Sequence, residues 1–243
     1  MRYLLKFSYD GSAYCGYQRQ PNQNTIQEQL ENALTKINNN KKAIITATGR
    51  TDKGVHALCQ YGHTNISVNI TEKKLKRALN SNLPDDIHII DTKAVADNFH
   101  ARYNVKWKEY KYYLNTKEYN PIERNYVYQY NHELNIDAMK EAIQVLKGTH
   151  DFRAFVTENK DKENCVRTIK KVTITKRNGI IIFTFIGDGF LRYQVRNMVG
   201  LLIKVGENKI STKDVEKILE SKDRNKSGKT APAEGLYLTK IIY

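Results

Sequence analysis

Apolar and polar positions alternate well enough over Arg2–Tyr9 to predict an opening strand, which Asp10-Gly11-Ser12 ends in a turn. Thr25 and Glu28 then read as a capping box. Behind it Ile26, Leu30, Ala33, Leu34 and Ile37 recur on one helical face, predicting a helix to about Asn38. Lys42–Thr48 carries an apolar core that reads as a strand, and Gln60–Val68 reads as the next. A second capped helix starts at Thr71 with Leu75, Ala78, Leu79 and Leu83 inward, and a strand follows around Ile87–Ala96. Strand, helix, strand, strand, helix, strand is the order of a split βαβ unit. Asn98-Phe99-His100-Ala101-Arg102 interrupts the apolar pattern and marks a joint, giving halves at residues 1–104 and 105–243.

The second half opens on a tyrosine-dense stretch, Glu109–Leu114, and continues to Tyr126–Tyr130; alternation and β propensity make both strands. A helix from Ile136 carries Met139, Ala142, Ile143 and Leu146 inward and ends before Gly148. Arg167–Thr175 and Ile180–Ile186 form a hairpin through Asn178-Gly179, the strongest turn signal in the chain. Phe190–Val199 opens a helix with Val195, Met198, Val199 and Leu202 toward the core. A short helix capped by Ser211 with Asp214, a basic loop from Lys222 to Lys229 and a last strand from Leu236 to Tyr243 complete the pattern. Helices and strands mixed in this order predict an α+β fold.

Composition narrows the partner. The chain has 243 residues, 40 basic and 26 acidic, for a net charge of +14. Such a surplus attracts polyanions, nucleic acid first among them, although a merely solvated basic surface has the same count. Three widely spaced cysteines, Cys15, Cys59 and Cys165, make neither a disulfide framework nor a zinc pair, which fits a reducing cytoplasm. The N-terminus lacks the apolar core of a signal peptide, and no apolar run is long enough to span a membrane.

The candidate chemistry centres on Gly49-Arg50-Thr51-Asp52-Lys53-Gly54-Val55-His56, placed in the loop that leaves a strand. An aspartate between two cations and two glycines is either a turn or cap residue or a carboxylate held ionised to act as nucleophile or base. Tyr17 and Arg19 lie in a second polar loop, Tyr14–Pro21, whose aromatics suit RNA contact or packing on the sheet. His56 and Cys59 have no second ligand pair, so zinc is a poor competitor. Dinucleotide, phosphate-loop, deaminase and serine- or cysteine-nucleophile signatures are missing as well.

Several segments occur together and in order: Tyr9-Asp10-Gly11, Gly16-Tyr17-Gln18-Arg19-Gln20, Gly49–Ala57, Phe99-His100-Ala101-Arg102, Glu109-Tyr110-Lys111-Tyr112, His150-Asp151-Phe152, Gly189-Phe190-Leu191 with Val195-Arg196, and Thr230-Ala231-Pro232 with Gly235-Leu236-Tyr237-Leu238. As a set they closely resemble the TruA-type tRNA pseudouridine synthases, nearly from end to end. The resemblance implies an isomerase that breaks the N1–C1′ bond of a uridine, turns the base and rejoins it through C5, with no cofactor and no metal. It implies an α+β fold in which two related split-βαβ halves form a central antiparallel sheet flanked by helices, with the active-site cleft between halves. It also implies a homodimer acting on tRNA at positions 38 to 40 of the anticodon stem-loop.

By the same resemblance Asp52 is the catalytic carboxylate, attacking C1′ or taking a sugar proton. Tyr110 stacks on the target base, and Arg196 pairs with Asp52 to keep it charged and aimed. Arg50, Tyr17, Arg19, His56 and Arg102 are expected to contact RNA or support the loop. Lys53 and Arg192-Tyr193-Gln194 depart from the usual wording of their motifs, which leaves open another RNA, such as a ribosomal site; an RNA-binding module without activity and a different enzyme on RNA, such as a methyltransferase or nuclease, are the remaining alternatives, the latter without a cofactor loop or a clustered carboxylate metal site in the sequence.

Overall fold

A computed structural model describes residues 1–156 and 164–243. Its contacts gather into two units, Met1–Lys106 with Tyr237–Tyr243, and Trp107–Leu236. In the first, β1 (Arg2–Tyr9) buries Tyr3, Leu5, Phe7 and Tyr9 and leaves Arg2, Leu4, Lys6 and Ser8 on the other face, as period-two alternation requires. Each fully buried side chain of this size stabilises the unit by about 1.5–3 kcal/mol. Helices α1 (Ile26–Ile37) and α2 (Glu72–Asn80) bury Ile26, Leu30 and Leu34, and Leu75 and Leu79.

β2 (Ile45–Ala47) and β3 (His56–Asn65) are antiparallel neighbours, and β3 runs antiparallel to β1. β4 (Ile87–Val95) flanks β1 on its other edge, also antiparallel. The last strand of the chain, β10 (Leu236–Ile242), joins β3 in parallel through Tyr237 opposite His56 and Leu238 opposite Ala57. The β1–β3 register slips between Phe7 opposite Gln60 and Tyr9 opposite Ala57. That bulge lies at the end of β3 next to the Gly49–Val55 loop, where bulges commonly re-aim side chains.

Two expectations change here. The capping box at Thr25 does not form: the Thr25 hydroxyl is buried and makes no hydrogen bond among the described residues, and Ile26 N–H and Gln27 N–H donate to Gly16 O and Tyr17 O instead. The unsatisfied donors of a helix start accept any well-placed carbonyl, and a neighbouring loop supplies them. His56 is the first residue of β3 rather than part of the loop, because β10 arrives from the far end of the chain to pair with it.

The second unit is a sheet in the order β5 (Trp107–Asn115), β9 (Ile180–Gly187), β8 (Val166–Arg177), β7 (Gly148–Asp151), all antiparallel, with the two-residue β6 (Tyr128–Gln129) parallel to β5. The strand expected over Tyr126–Tyr130 is therefore shorter. The β8–β9 turn has positive φ at both Asn178 and Gly179, as a tight hairpin turn matching strand twist demands. α3 (Ile136–Ala142) tightens into a 3₁₀ turn over Ile143–Leu146. α4 (Gln194–Gly206) buries Val195, Met198, Val199, Leu201 and Leu202. α5 (Thr212–Ser221) carries the expected capping box between Ser211 and Asp214. Each unit is thus α+β, a mostly antiparallel sheet with helices, as the order of elements predicts. Among the described residues no helix is long and apolar enough to cross a membrane.

One buried histidine gives the first unit a pH signature. His63 accepts the Ala101 N–H at Nδ1 and packs edge-on against His100. Burial first, then the charges of His100 and Arg2, pull its pKa down to about 4. Its unfolded value is about 6.5, so between pH 4 and 6.5 the unfolded chain binds more protons. The stability this neutral ring contributes is complete above that range and is lost as pH falls through it. Urea denaturation should show wild type losing stability more steeply than His63→Gln between pH 6.5 and 4; equal slopes contradict this.

Candidate active site

The Gly49–Val55 loop of the first unit is held backbone to backbone by the segment that follows β1. Tyr17 N–H donates to Thr51 O at 3.1 Å, and a Cβ on Gly16 would stand 3.0 Å from that same carbonyl, with φ at +96°. A Cβ on Gly11 would stand 2.1 Å from Val55 O. These two glycines let two stretches of main chain touch where no side chain fits. From below, Tyr9 and Thr51 share a buried hydroxyl hydrogen bond of 2.8 Å, and Gln60 Nε2 donates to Gly49 O. Val55 N–H closes on Asp52 O, with Gly54 at φ +79° completing the turn.

Thr51 and Val55 are thereby buried, and Asp52 between them is half-buried while Arg50 and Lys53 are exposed. Neither of those two cations makes an ion pair among the described residues, so the opposing charge expected from them is not in contact within the loop. His56 is buried, stacked on Tyr237 with ring centroids 4.6 Å apart. Its Nδ1 lies 3.1 Å from both Gly11 N and Asp10 Oδ1. The nitrogen serves one of them at a time: unprotonated it accepts from Gly11, protonated it donates to the Asp10 carboxylate.

The other sequence candidates of this unit are supports or surface groups. Tyr17 is buried with its ring stacked on Phe7, and its hydroxyl makes no hydrogen bond among the described residues. Arg19, about half exposed, meets Glu31 at 3.1 Å. Arg102 is exposed, its N–H donating to His100 Nδ1. A cavity of about 650 Å³ lined by Leu4, Tyr61, Asp91, Phe99 and Tyr243 opens on the opposite face of β1 and contains none of the candidates.

In the second unit Tyr110 is buried on β5 and meets the ring of Phe190 edge to face at 5.2 Å. Arg196 stands on the first turn of α4. Its Nε–H donates to Ala231 O at 2.8 Å while Ala231 N–H donates to Arg196 O, and its guanidinium lies 5.2 Å from the Tyr193 ring centroid. Tyr193 begins the helix in the left-handed region, at φ +61°, a conformation that costs a bulky residue about 1–3 kcal/mol and clusters at functional sites. It is also why the helix starts at Gln194 rather than at Phe190. Tyr112 OH donates to Pro232 O, tying the 230–232 segment to β5. Half-buried Glu234 is felt by Arg196; burial raises its pKa, and Arg196 opposes the rise. Phe190 lies inside a motif segment without a role of its own assigned from the sequence, and Glu234 lies between two of the segments.

A family model described as tRNA pseudouridine synthase matches residues 7–104 and 142–243. Relatives named tRNA pseudouridine synthase A include those of Streptococcus agalactiae serotype Ia, 43% identical over all of this chain and 95% of the relative, and of Streptococcus mutans serotype c, 42% identical over all of this chain and 99% of the relative. That of Streptococcus pyogenes serotype M49 is 43% identical with the same coverage as the latter. A solved structure, a Cbf5-Nop10-Gar1 complex, aligns over 80% of this chain and 44% of that one at 14% identity and a TM-score of 0.36, too low a likeness to argue from.

The close approach at Gly11 gives a direct check on the loop. Adding one methyl there forces main chain apart and should cost about 1–3 kcal/mol. Gly11→Ala is therefore expected to lower the urea midpoint and to speed hydrogen exchange at the Val55 and Tyr17 amides; unchanged exchange at both contradicts the packing.

Proposed function

Since this chain belongs to the tRNA pseudouridine synthase family and is an isomerase of that kind, we propose that it converts uridine to pseudouridine at positions 38 to 40 of the anticodon stem-loop, with Asp52 as its catalytic carboxylate. The observation that carries this reading is kinship over the whole chain at 43% identity. The loop supports it: Asp52 is half-buried on a backbone braced from two sides, while Arg50 and Lys53 are exposed where phosphates can reach them. Asp52 attacks C1′ or removes a sugar proton; either step needs its carboxylate ionised, which a nearby guanidinium favours.

In this reading the uridine leaves its stack at a cost of a few kcal/mol, and an aromatic face offsets part of it. Tyr110, braced by Phe190, supplies that face. The N1–C1′ bond breaks, the base turns, C5 bonds to C1′, the C5 proton leaves and N1 gains one, so the product is an isomer of the substrate. Arg196 keeps Asp52 charged and aimed. Halves 1–104 and 105–243 act as one catalytic unit, as a homodimer in the cytoplasm; three widely spaced cysteines fit a reducing compartment. Exposed Lys53 beside Asp52 favours one second reading, the same chemistry on a ribosomal RNA uridine.

Unmodified tRNA incubated with the protein should gain carbodiimide-dependent primer stops at positions 38 to 40, and Asp52→Ala should give none. No new stop with wild type, or an undiminished one with Asp52→Ala, defeats the proposal; stops in ribosomal RNA alone select the second reading. Arg196→Ala should be severely slowed with tRNA still bound. Tyr110→Ala should lose about 1–3 kcal/mol of base stacking, read as a lower single-turnover rate.

A further inference from the structure

Among the described residues Arg224, in the basic loop after α5, makes four hydrogen bonds, none of them to a carboxylate. One terminal nitrogen, Nη1, donates to Ser227 Oγ at 2.9 Å and to Gly228 O at 2.7 Å. The other, Nη2, donates to Asn197 Oδ1 and Thr230 Oγ1, both at 2.9 Å. Thr230 Oγ1 in turn donates to Asn197 Oδ1 at 2.6 Å, and Asn197 Nδ2 donates to Phe155 O at 2.7 Å. Asn197 is fully buried, and both lone pairs of its amide oxygen are thus used. Ser227, also fully buried, donates to Ala154 O.

Withdrawing part of a guanidinium from water is costly, and burial draws the pKa of this one downward. Its Nε–H is buried with no acceptor among the described residues, a further cost. What the fork does is join two pieces of main chain: the first turn of α4, through Asn197, and the segment 228–230, through Gly228 and Thr230. That segment crosses α4 so closely that a Cβ on Gly200 would stand 1.9 Å from Lys229 O. The residue after Thr230 is Ala231, whose carbonyl holds Arg196 Nε. Asn197 is the next residue after Arg196. Arg196 is therefore fixed at its own main chain and at its Nε partner by one half-buried guanidinium.

We propose that Arg224 is a positioning residue for Arg196: its fork, through Asn197 and Thr230, fixes the 229–232 segment on α4 and so sets the direction of the Arg196 guanidinium. The inference rests on the role given to Arg196 above. Lysine cannot replace it, since a point charge does not span Asn197, Thr230 and Gly228 in one plane. Misplacing a catalytic group by about 1 Å can cost a hundredfold in rate without weakening binding.

The test is the single-turnover release of C5 tritium from labelled tRNA, with the tRNA dissociation constant measured separately. Arg224→Met, Arg224→Lys and Thr230→Val are each expected to slow turnover about tenfold or more and leave tRNA binding within about twofold. Combined with Arg196→Lys, each should add little further loss, because both changes disturb one group. Thr230→Val removes one hydroxyl and keeps the shape, so it decides the matter if the Arg224 variants do not fold. Losses that add in the double variants, or a loss in binding with turnover unchanged, overturn the inference. A normal rate in Arg196→Ala removes the role of Arg196 and this inference with it. A lost rate there, beside normal turnover in Thr230→Val and any folded Arg224 variant, overturns this inference alone.

Discussion

The approach of main chain to main chain between Gly11–Tyr17 and Thr51–Val55 is the constraint on which the first unit turns. A loop of seven residues has no regular structure to fix Asp52, and side-chain packing alone would leave its backbone free to shift. Contact through Gly11 and Gly16, with Tyr17 N–H on Thr51 O, removes that freedom at both ends of the loop. The same segment also caps α1 with Gly16 O and Tyr17 O. One short stretch thus joins the first helix, the first strand and the loop carrying the carboxylate. This is why Tyr17 is buried on Phe7 instead of standing in solvent.

The second unit solves a like problem with polar groups. In the role proposed for Arg196, the first turn of a largely buried helix presents a charged, directional guanidinium. Its orientation comes from Ala231 O, the Tyr193 face and the segment over Gly200. Asn197, Thr230 and Arg224 join these into one hydrogen-bonded cluster. Buried polar clusters of this kind contribute little net stability, and their worth lies in allowing one arrangement. The strained backbone of Tyr193 belongs to the same economy, holding its ring under Arg196 and against Arg192.

Much of the fold was legible because local pattern and final structure agree. The alternation in β1, the helical spacing behind Ile26, the Asn178-Gly179 turn and the Ser211–Asp214 box all form as their residues dictate. The misreadings have a common cause. Thr25 looks like a cap in isolation, and it loses that role to carbonyls brought by another segment. His56 looks like a loop residue until β10, some 180 positions later in the chain, pairs beside it.

The sequence by itself determined the element order, the α+β class, the basic surface and the motif residues, because period, propensity and charge are local properties of residues. It singled out Asp52, Tyr110 and Arg196 through a set of motifs. Only the tertiary structure decided what surrounds each of them. That Gly11 and Gly16 are points of main-chain contact, that Phe190 braces Tyr110, and that Arg224 reaches Asn197 and Thr230 all depend on distances between segments remote in the chain. No window of sequence contains those distances, and a hydrogen bond exists only once both of its ends have been brought within about 3 Å.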